Sequence, residues 1–335
     1  MRRRDFLQNT ALLGAGMLAG FKGEPVIGHG NFRYRINPRW CKADPAAHPV
    51  TNCHEMVFDK QGRIFMTTDN VRNNILVFNK DGKVLDAWGK EYPGAHGLSY
   101  HNENGAEMLY ITDYERNMVV KTTLSGEVVR SFEWPADSGK YKKANEFKPT
   151  ETAIAPNGDV YVADGYGKDY IVHYNHDGQV KNVFGGPDLL KNAHGVTLDT
   201  RNPLKPALLV SSRAENKLKR FSLDGALLET IALPGAYICR PVVQGSEVYF
   251  AVLISQLPWD SGSGFICILD KNNRVVSAPC ANAPRYNADG TLKPLYQTIR
   301  AFKHPHDVLV DPDGTLFVAQ WNSNGVYPYR MERVK

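Results

Sequence analysis

The sequence predicts an all-β fold, a six-bladed β-propeller whose ring is closed by an N-terminal strand. Three observations carry this expectation. One phrase recurs along the chain: an apolar strand, a glycine-containing turn, a second apolar strand ending in small or polar residues, then a third strand and another turn. The turns place Asn-Gly or Asp-Gly between alternating apolar runs, residue types that accept positive φ and so close β-hairpins. No amphipathic helix of three turns can be read beyond the N-terminal region. Repeats of about four strands each, six of them in roughly 300 residues, are the signature of a propeller.

The elements follow in order. The first phrase runs over 55–59, turns through Lys60, Gln61 and Gly62, continues over 63–68 and 74–78, and ends at 84–88 after Asp81-Gly82. The third is cleaner, with strands at 152–155, 160–164, 170–174 and 180–184 around the turns Asn157-Gly158 and Asp177-Gly178. Six copies begin near His54, His96, Thr150, His194, Arg240 and His306, at spacings of 42 to 66 residues. The sixth supplies three strands, at 308–310, 316–319 and 327–334. The early strand 31–36 belongs to no phrase and is expected to complete the last blade, so that no sheet edge is left open. The fifth phrase carries extra length, with 257–264 as an insertion. Residues 26–335 are therefore expected to form one domain.

Composition narrows the functional classes. The 335 residues are 42% hydrophobic and 22% charged, a soluble globular profile. The net charge of +5 is scattered, without the basic stripe that nucleic-acid binding needs. Residues 1–25 resemble a twin-arginine export signal: Arg3 and Arg4 precede Phe6 and Leu7, and a weakly apolar stretch follows. That stretch is too short for stable membrane insertion. The expected partner is the twin-arginine export machinery and the expected location periplasmic or secreted, with the protein a monomer. Five cysteines are an odd number for such a compartment. Cys41 with Cys53 and Cys267 with Cys280 are candidate bridges by proximity. No Cys-x-x-Cys pair exists, which argues against a thiolate zinc site.

The first residue of each inner strand of a propeller sits at one mouth of the central channel. His96 in Ala-His-Gly-Leu (95–98), His194 in Ala-His-Gly-Val (193–196) and His306 in Pro-His-Asp-Val (305–308) occupy alternate blades, about a third of a turn apart. Three imidazoles on one axis leave a metal an open fourth position, as in catalytic zinc sites. His54 is a fourth candidate, as a ligand or as a partner behind the ligands. The ends of the second strands face the same mouth and bring Tyr166 and Arg213. Positive charge nearby stabilises a phenolate, suiting Tyr166 to act as a general base. Arg213 can clamp a carboxylate with two parallel hydrogen bonds.

The succession Ala-His-Gly-Leu, Pro-Thr-Glu (149–151), Ala-Asp-Gly-Tyr (163–166), Ala-His-Gly-Val, Ser-Ser-Arg (211–213) and Pro-His-Asp-Val resembles the lyase domain of peptidylglycine α-amidating enzymes. That family is a six-bladed propeller related to the NHL-repeat group, and it splits a peptidyl-α-hydroxyglycine into a peptide amide and glyoxylate. The resemblance spans most of residues 50–335. It implies zinc ligands at His96, His194 and His306, a base at Tyr166 and an active-site arginine at Arg213. It also implies a structural calcium in the channel on Asp307 and the backbone carbonyls of Leu98 and Met56, hard oxygen donors that suit that ion. The family's second active-site arginine is missing from 66–70, and Arg72 is the candidate replacement. The family's cysteine beside the tyrosine is Gly167 here, its paired loop disulfides are absent, and His54 is additional.

The function expected is that of an exported zinc-dependent lyase cleaving a carbinolamide-like C–N or C–O bond in a small-molecule or peptide-like substrate. Two alternatives belong to other classes. One is a lactonase-like hydrolase using calcium and a water. The other is a non-catalytic NHL-type module binding a glycan or protein through Trp259, Trp321, Tyr327 and Tyr329.

Overall fold

The computed structural model describes residues 25–254, 264–321 and 325–334. The export signal, but for its last residue, and nearly all of the 257–264 insertion with Trp259 lie outside the described residues. The described chain opens on a hairpin, β1 (Val26–His29) and β2 (Phe32–Asn37), joined by Gly30 and Asn31. Gly30 has φ of 55°, the positive value that a two-residue hairpin turn requires.

Six sheets follow. Blade one is β3 (Cys53–Phe58), β4 (Ile64–Thr68), β5 (Ile75–Phe78) and β6 (Val84–Trp88). Blade two is β7 (Ala95–Glu103), β8 (Ala106–Asp113), β9 (Met118–Thr123) and β10 (Val128–Phe132). Blade three is β11 (Glu151–Ile154), β12 (Val160–Ala163), β13 (Tyr170–Tyr174) and β14 (Val180–Gly185). Blade four is β15 (Ala193–Asp199), β16 (Ala207–Ser212), β17 (Lys217–Phe221) and β18 (Leu227–Ala232). Blade five is β19 (Ile238–Gln244), β20 (Glu247–Val252), β21 (Phe265–Leu269) and β22 (Val275–Ser277). Blade six supplies β23 (Pro305–Val310), β24 (Leu316–Gln320) and β25 (Tyr329–Arg333). The N-terminal hairpin completes that last sheet, in the order β1-β2-β25-β24-β23. The expected closure holds, with two strands rather than one added from the N-terminus.

Burial explains why these runs pair as they do. The inner and second strands of each blade lie between neighbouring blades and read as continuous apolar runs, such as Leu208, Leu209 and Val210, all without exposed surface. The outermost strands face solvent and carry polar positions; β18 is exposed along most of its length. At the closure, Tyr34 and Ile36 of β2 pack into the same apolar cluster as Val308, Leu316 and Met331. Among the described residues the only helical segments are three single 3₁₀ turns, at Ala136–Ser138, Ala144–Glu146 and Arg213–Glu215. None is long and apolar enough to cross a membrane.

Two expectations change. The surplus length of the fifth repeat falls largely in an excursion between β22 and β23, over 278–304, pinned by isolated bridges Ala281–Gln297 and Tyr286–Leu292. All five cysteines are free thiols, so neither candidate bridge forms.

A second regularity positions the site. The register of five inner strands shifts at their start: between Cys53 and Met56, Ala95 and Leu98, Ala193 and Val196, Ile238 and Pro241, and Pro305 and Asp307. Such β-bulges take residues out of the ladder and re-aim their side chains. The residues released are His54 with Glu55, His96 with Gly97, His194 with Gly195, Cys239 with Arg240, and His306.

Candidate metal centre and active site

The bulges stack two tiers of side chains at the channel. The outer tier holds His54, His96, Thr150, His194, Cys239 and His306. The inner tier holds Glu55, Gly97, Glu151, Gly195, Arg240 and Asp307. This corrects one expectation: the blade-five residue level with the histidines is Cys239, and Arg240 lies a step deeper. Superposing Ile238-Cys-Arg-Pro241 on Pro305-His-Asp-Val308 would have revealed it, and with it Glu55 and Glu151, which sequence reasoning missed.

The histidines converge as expected. The rings of His96, His194 and His306 lie with centroids 4.8 to 5.0 Å apart. His54 joins them at 4.7 Å from His96 and 5.0 Å from His306. Two trios, His54 with His96 and His306, and His194 with Cys239 and His306, offer ligand atoms all within 4.8 Å of one another. All of these residues are buried.

Hydrogen bonds fix which nitrogen faces the shared space. His96 Nδ1 donates to the Thr150 carbonyl at 2.8 Å, and His306 Nδ1 donates to the His54 carbonyl at 3.1 Å. A carbonyl only accepts, so both rings carry hydrogen on Nδ1 and turn the Nε2 lone pair inward. His306 Nε2 is buried without a partner, and His96 Nε2 lies 3.2 Å from His194 Nε2. Burial, with the neighbouring imidazoles and Arg213, holds the pKa of His96 and His306 well below the ordinary value. Buried imidazoles gathered around one space form a donor set that fits a borderline cation such as zinc.

Tyr166 closes over this cluster. Its hydroxyl is 3.1 Å from His96 Nε2 and 3.2 Å from His194 Nε2. The residue is 38% exposed, yet its hydroxyl end points inward against the two rings. Burial holds the phenol above its usual pKa, and the Arg213 guanidinium offsets part of that rise. The turn is held from behind by Asp164, which accepts from the backbone N–H groups of Lys148 and Lys168 and from the Tyr141 hydroxyl, at 2.6 to 2.7 Å. At Gly167 a Cβ would come 2.1 Å from the Asp164 carboxylate and 2.5 Å from the Glu146 carbonyl. No side chain fits at this position without a shift of the turn.

Arg213 follows β16 in the turn Arg213–Glu215. It is 3% exposed, its guanidinium 5.0 Å from the Tyr237 ring centre, and its Nε and Nη2 have no hydrogen-bond partner among the described residues. Glu215 braces the turn, accepting from Ser212 Oγ at 2.5 Å, Lys219 Nζ at 2.7 Å and Lys217 Nζ at 3.0 Å. Tyr166, Asn192, Arg213, Tyr237, Leu253, His306 and Trp321 line a cavity of about 340 Å³ over the histidines. A buried guanidinium with unused donors in such a cavity is suited to an anion.

Other expected residues fall elsewhere. Arg72 is exposed and donates to the Ala46 carbonyl at 3.1 Å, away from the histidines. It lies in the loop after β4. Asp307, Leu98 and Met56 do meet in the channel, but around Arg240. Calcium therefore does not fit there. Of the aromatics considered as a contact surface, Tyr327 is partly buried with its hydroxyl bonded to the His48 carbonyl, Tyr329 packs on Phe302, and Trp321 lines the cavity.

Fold and site define a six-bladed propeller with a buried imidazole cluster at one mouth, and the comparisons give it distant relatives. No family model matches the chain. It is 25% identical to human NHL repeat-containing protein 3 over 61% of this chain and 63% of that one. It is 31% identical to peptidyl-alpha-hydroxyglycine alpha-amidating lyase 1 of Drosophila melanogaster over 74% of this chain and 47% of that one. The chain thus spans about half to two-thirds of the length of these relatives. Among solved structures, a streptogramin B lyase superposes with a TM-score of 0.56 at 15% identity, over 90% of this chain and 98% of that one. A gluconolactonase from Xanthomonas campestris gives 0.60 at 14% identity, over 92% and 95%. These two likenesses establish the fold alone.

Proposed function

We propose that the protein is a zinc-dependent lyase of the amidating-lyase type, cleaving the C–N bond of a carbinolamide in a small-molecule or peptide-like substrate. One observation carries the reading: the Tyr166 hydroxyl lies within hydrogen-bond reach of His96 and His194 Nε2, in the cavity that also holds Arg213, whose Nε and Nη2 have no hydrogen-bond partner among the described residues. The 31% identity to an amidating lyase supports it. His96, His194 and His306 would hold the ion, with His54 and Cys239 beside them. Its contribution would be Lewis acidity, which would lower the pKa of a hydroxyl bound next to it.

The chain's own groups supply the rest. Tyr166, as phenolate, takes the substrate hydroxyl proton; the oxygen's electron pair forms the carbonyl, and the C–N bond breaks with its pair on nitrogen. Tyr166 then returns the proton to that nitrogen, so the products are an amide and an aldehyde, with no water consumed and no change of oxidation state. Arg213 holds the carboxylate through Nε and Nη2, fixing the reacting carbon over the imidazoles.

The protein reaches its place of action, on this reading, as a folded monomer exported to the periplasm or beyond by the twin-arginine route, a reading supported by Arg3 and Arg4 ahead of Phe6 and Leu7. Replacing both arginines by lysine should trap the chain in the cytoplasm.

The decisive assay supplies a synthetic peptidyl-α-hydroxyglycine and follows glyoxylate, with zinc measured in the same preparation. The wild type should release glyoxylate and carry about one zinc per chain. Tyr166→Phe should keep the zinc and lose about 10²- to 10⁴-fold in rate, the usual worth of a positioned acid–base group. An unchanged rate removes Tyr166 from the chemistry. No glyoxylate from the zinc-loaded wild type favours the binding-module reading.

A further inference from the structure

Below the histidines the inner tier gathers charge that the proposed reaction does not use. Glu55, Glu151 and Asp307 have no exposed surface, and Arg240 among them is 8% exposed. Arg240 grips Asp307 with two prongs, Nε to Oδ1 at 3.1 Å and Nη2 to Oδ2 at 2.7 Å. Nη1 donates to the Leu98 carbonyl at 3.1 Å and Nη2 also to the Met56 carbonyl at 3.0 Å. Glu55 and Glu151 approach the guanidinium at 3.7 and 3.6 Å. One side chain from blade five thus reaches groups on blades one, two, three and six.

Among these, the Asp307 carboxylate and the Leu98 and Met56 carbonyls are the oxygens that the family resemblance gives to a channel calcium. Here their lone pairs meet guanidinium hydrogens, and the flat fork occupies the space between them. A guanidinium and a hard divalent ion solve the same problem, neutralising oxygens that ring closure forces together. We propose that Arg240 is a built-in cation standing in for a channel metal, so that the ring closes without calcium, and that removing the guanidinium turns the same oxygens into a calcium site. The inference is independent of the lyase reading and survives its failure.

The chemistry separates the two tiers. The outer one offers imidazole nitrogens and a thiol, which select zinc-like ions; the inner one offers oxygens, already gathered around the Arg240 guanidinium. Truncating Arg240 would leave three buried carboxyls without their cation, and two backbone carbonyls pointing at the same gap. That donor set is hard, anionic and large enough to wrap a calcium ion.

The test compares wild type, Arg240→Ala and Arg240→Lys by thermal unfolding in EGTA and in millimolar calcium, with calcium and zinc measured in every sample. The wild type should hold no stoichiometric calcium and unfold at the same temperature in both buffers once zinc content is matched. Arg240→Ala should be destabilised in EGTA, recover in calcium and bind one calcium per chain by calorimetry. Arg240→Lys keeps the charge but reaches fewer acceptors, and should be intermediate in stability and indifferent to calcium. Stoichiometric calcium in the wild type, or a folded Arg240→Ala that ignores calcium, overturns the proposal. Should the alanine variant not fold in either buffer, the wild-type calcium content decides alone: its absence supports the proposal and its presence sinks it.

Discussion

Glu215 shows how a residue outside the cavity can set one that lines it. Its carboxylate is the anchor of the turn that presents Arg213, gathering Ser212, Lys219 and Lys217 around it. Burial raises its pKa, but those hydrogen bonds outweigh burial and bring it down to about 2. A carboxyl depressed in the folded state contributes stability above its unfolded pKa and loses it as pH falls towards the folded value. Glu215→Gln should therefore be less stable than wild type at neutral pH, and the gap should close between about pH 4.5 and pH 2. Denaturant titrations across that range check it; a constant gap would mean that the carboxylate's charge is not what braces the turn. At the same scale, Tyr166 sits where opposing effects meet, since burial disfavours the phenolate that a base must form and Arg213 favours it.

At the scale of the element, the inner-strand bulge organises the site. A regular strand would send alternate side chains to opposite faces and leave the histidines in contact with the neighbouring blade. The extra residues turn them to the channel and allow adjacent blades to close within backbone contact. Gly97 and Gly195 sit where this contact leaves no room for a side chain: a Cβ at Gly97 would lie 2.5 Å from the Thr150 carbonyl, and one at Gly195 2.6 Å from the Arg240 Cα. The Thr150 carbonyl is also the acceptor for His96 Nδ1. Gly97→Ala should therefore cost about 1 to 3 kcal/mol by overpacking and lower zinc occupancy along with it. Calorimetry with metal analysis on one sample reads both, and a loss of stability without loss of zinc would uncouple the bulge from the metal centre. Blade three, which brings no histidine to the outer tier, contributes that carbonyl.

At the scale of the molecule, the imidazoles meet only because the ring closes. The last sheet needs β2 from the N-terminal end, and Tyr34, with no exposed surface, is its main apolar anchor. Tyr34→Ala should cost about 3 to 5 kcal/mol, as for other buried aromatic truncations. Arg35, on the exposed face of the same strand, should be replaceable by alanine within about 0.5 kcal/mol. Thermal unfolding of the pair measures how much of the ring's stability passes through the closure. Equal effects would mean that the hairpin is an appendage rather than a clasp.

Local chemistry made much of this legible in the amino-acid order. Asn-Gly and Asp-Gly turns between apolar runs determine hairpins, repetition determines blades, and Ala-His-Gly with Pro-His-Asp marked three channel histidines that do converge. The tertiary structure decided what depends on register and on distant neighbours. A one-residue bulge put Cys239, rather than Arg240, level with the histidines and dropped Arg240 onto oxygens that the family resemblance gave to a calcium ion. Arg72 was close in sequence to the missing arginine, yet its loop carries it outward to Ala46. The proximity of Cys41 to Cys53, and of Cys267 to Cys280, did not become a bond. Sequence periodicity reports which face a strand buries, because burial is a property of one element. Which charge fills the middle of a ring depends on six elements meeting, and only their closure settles it.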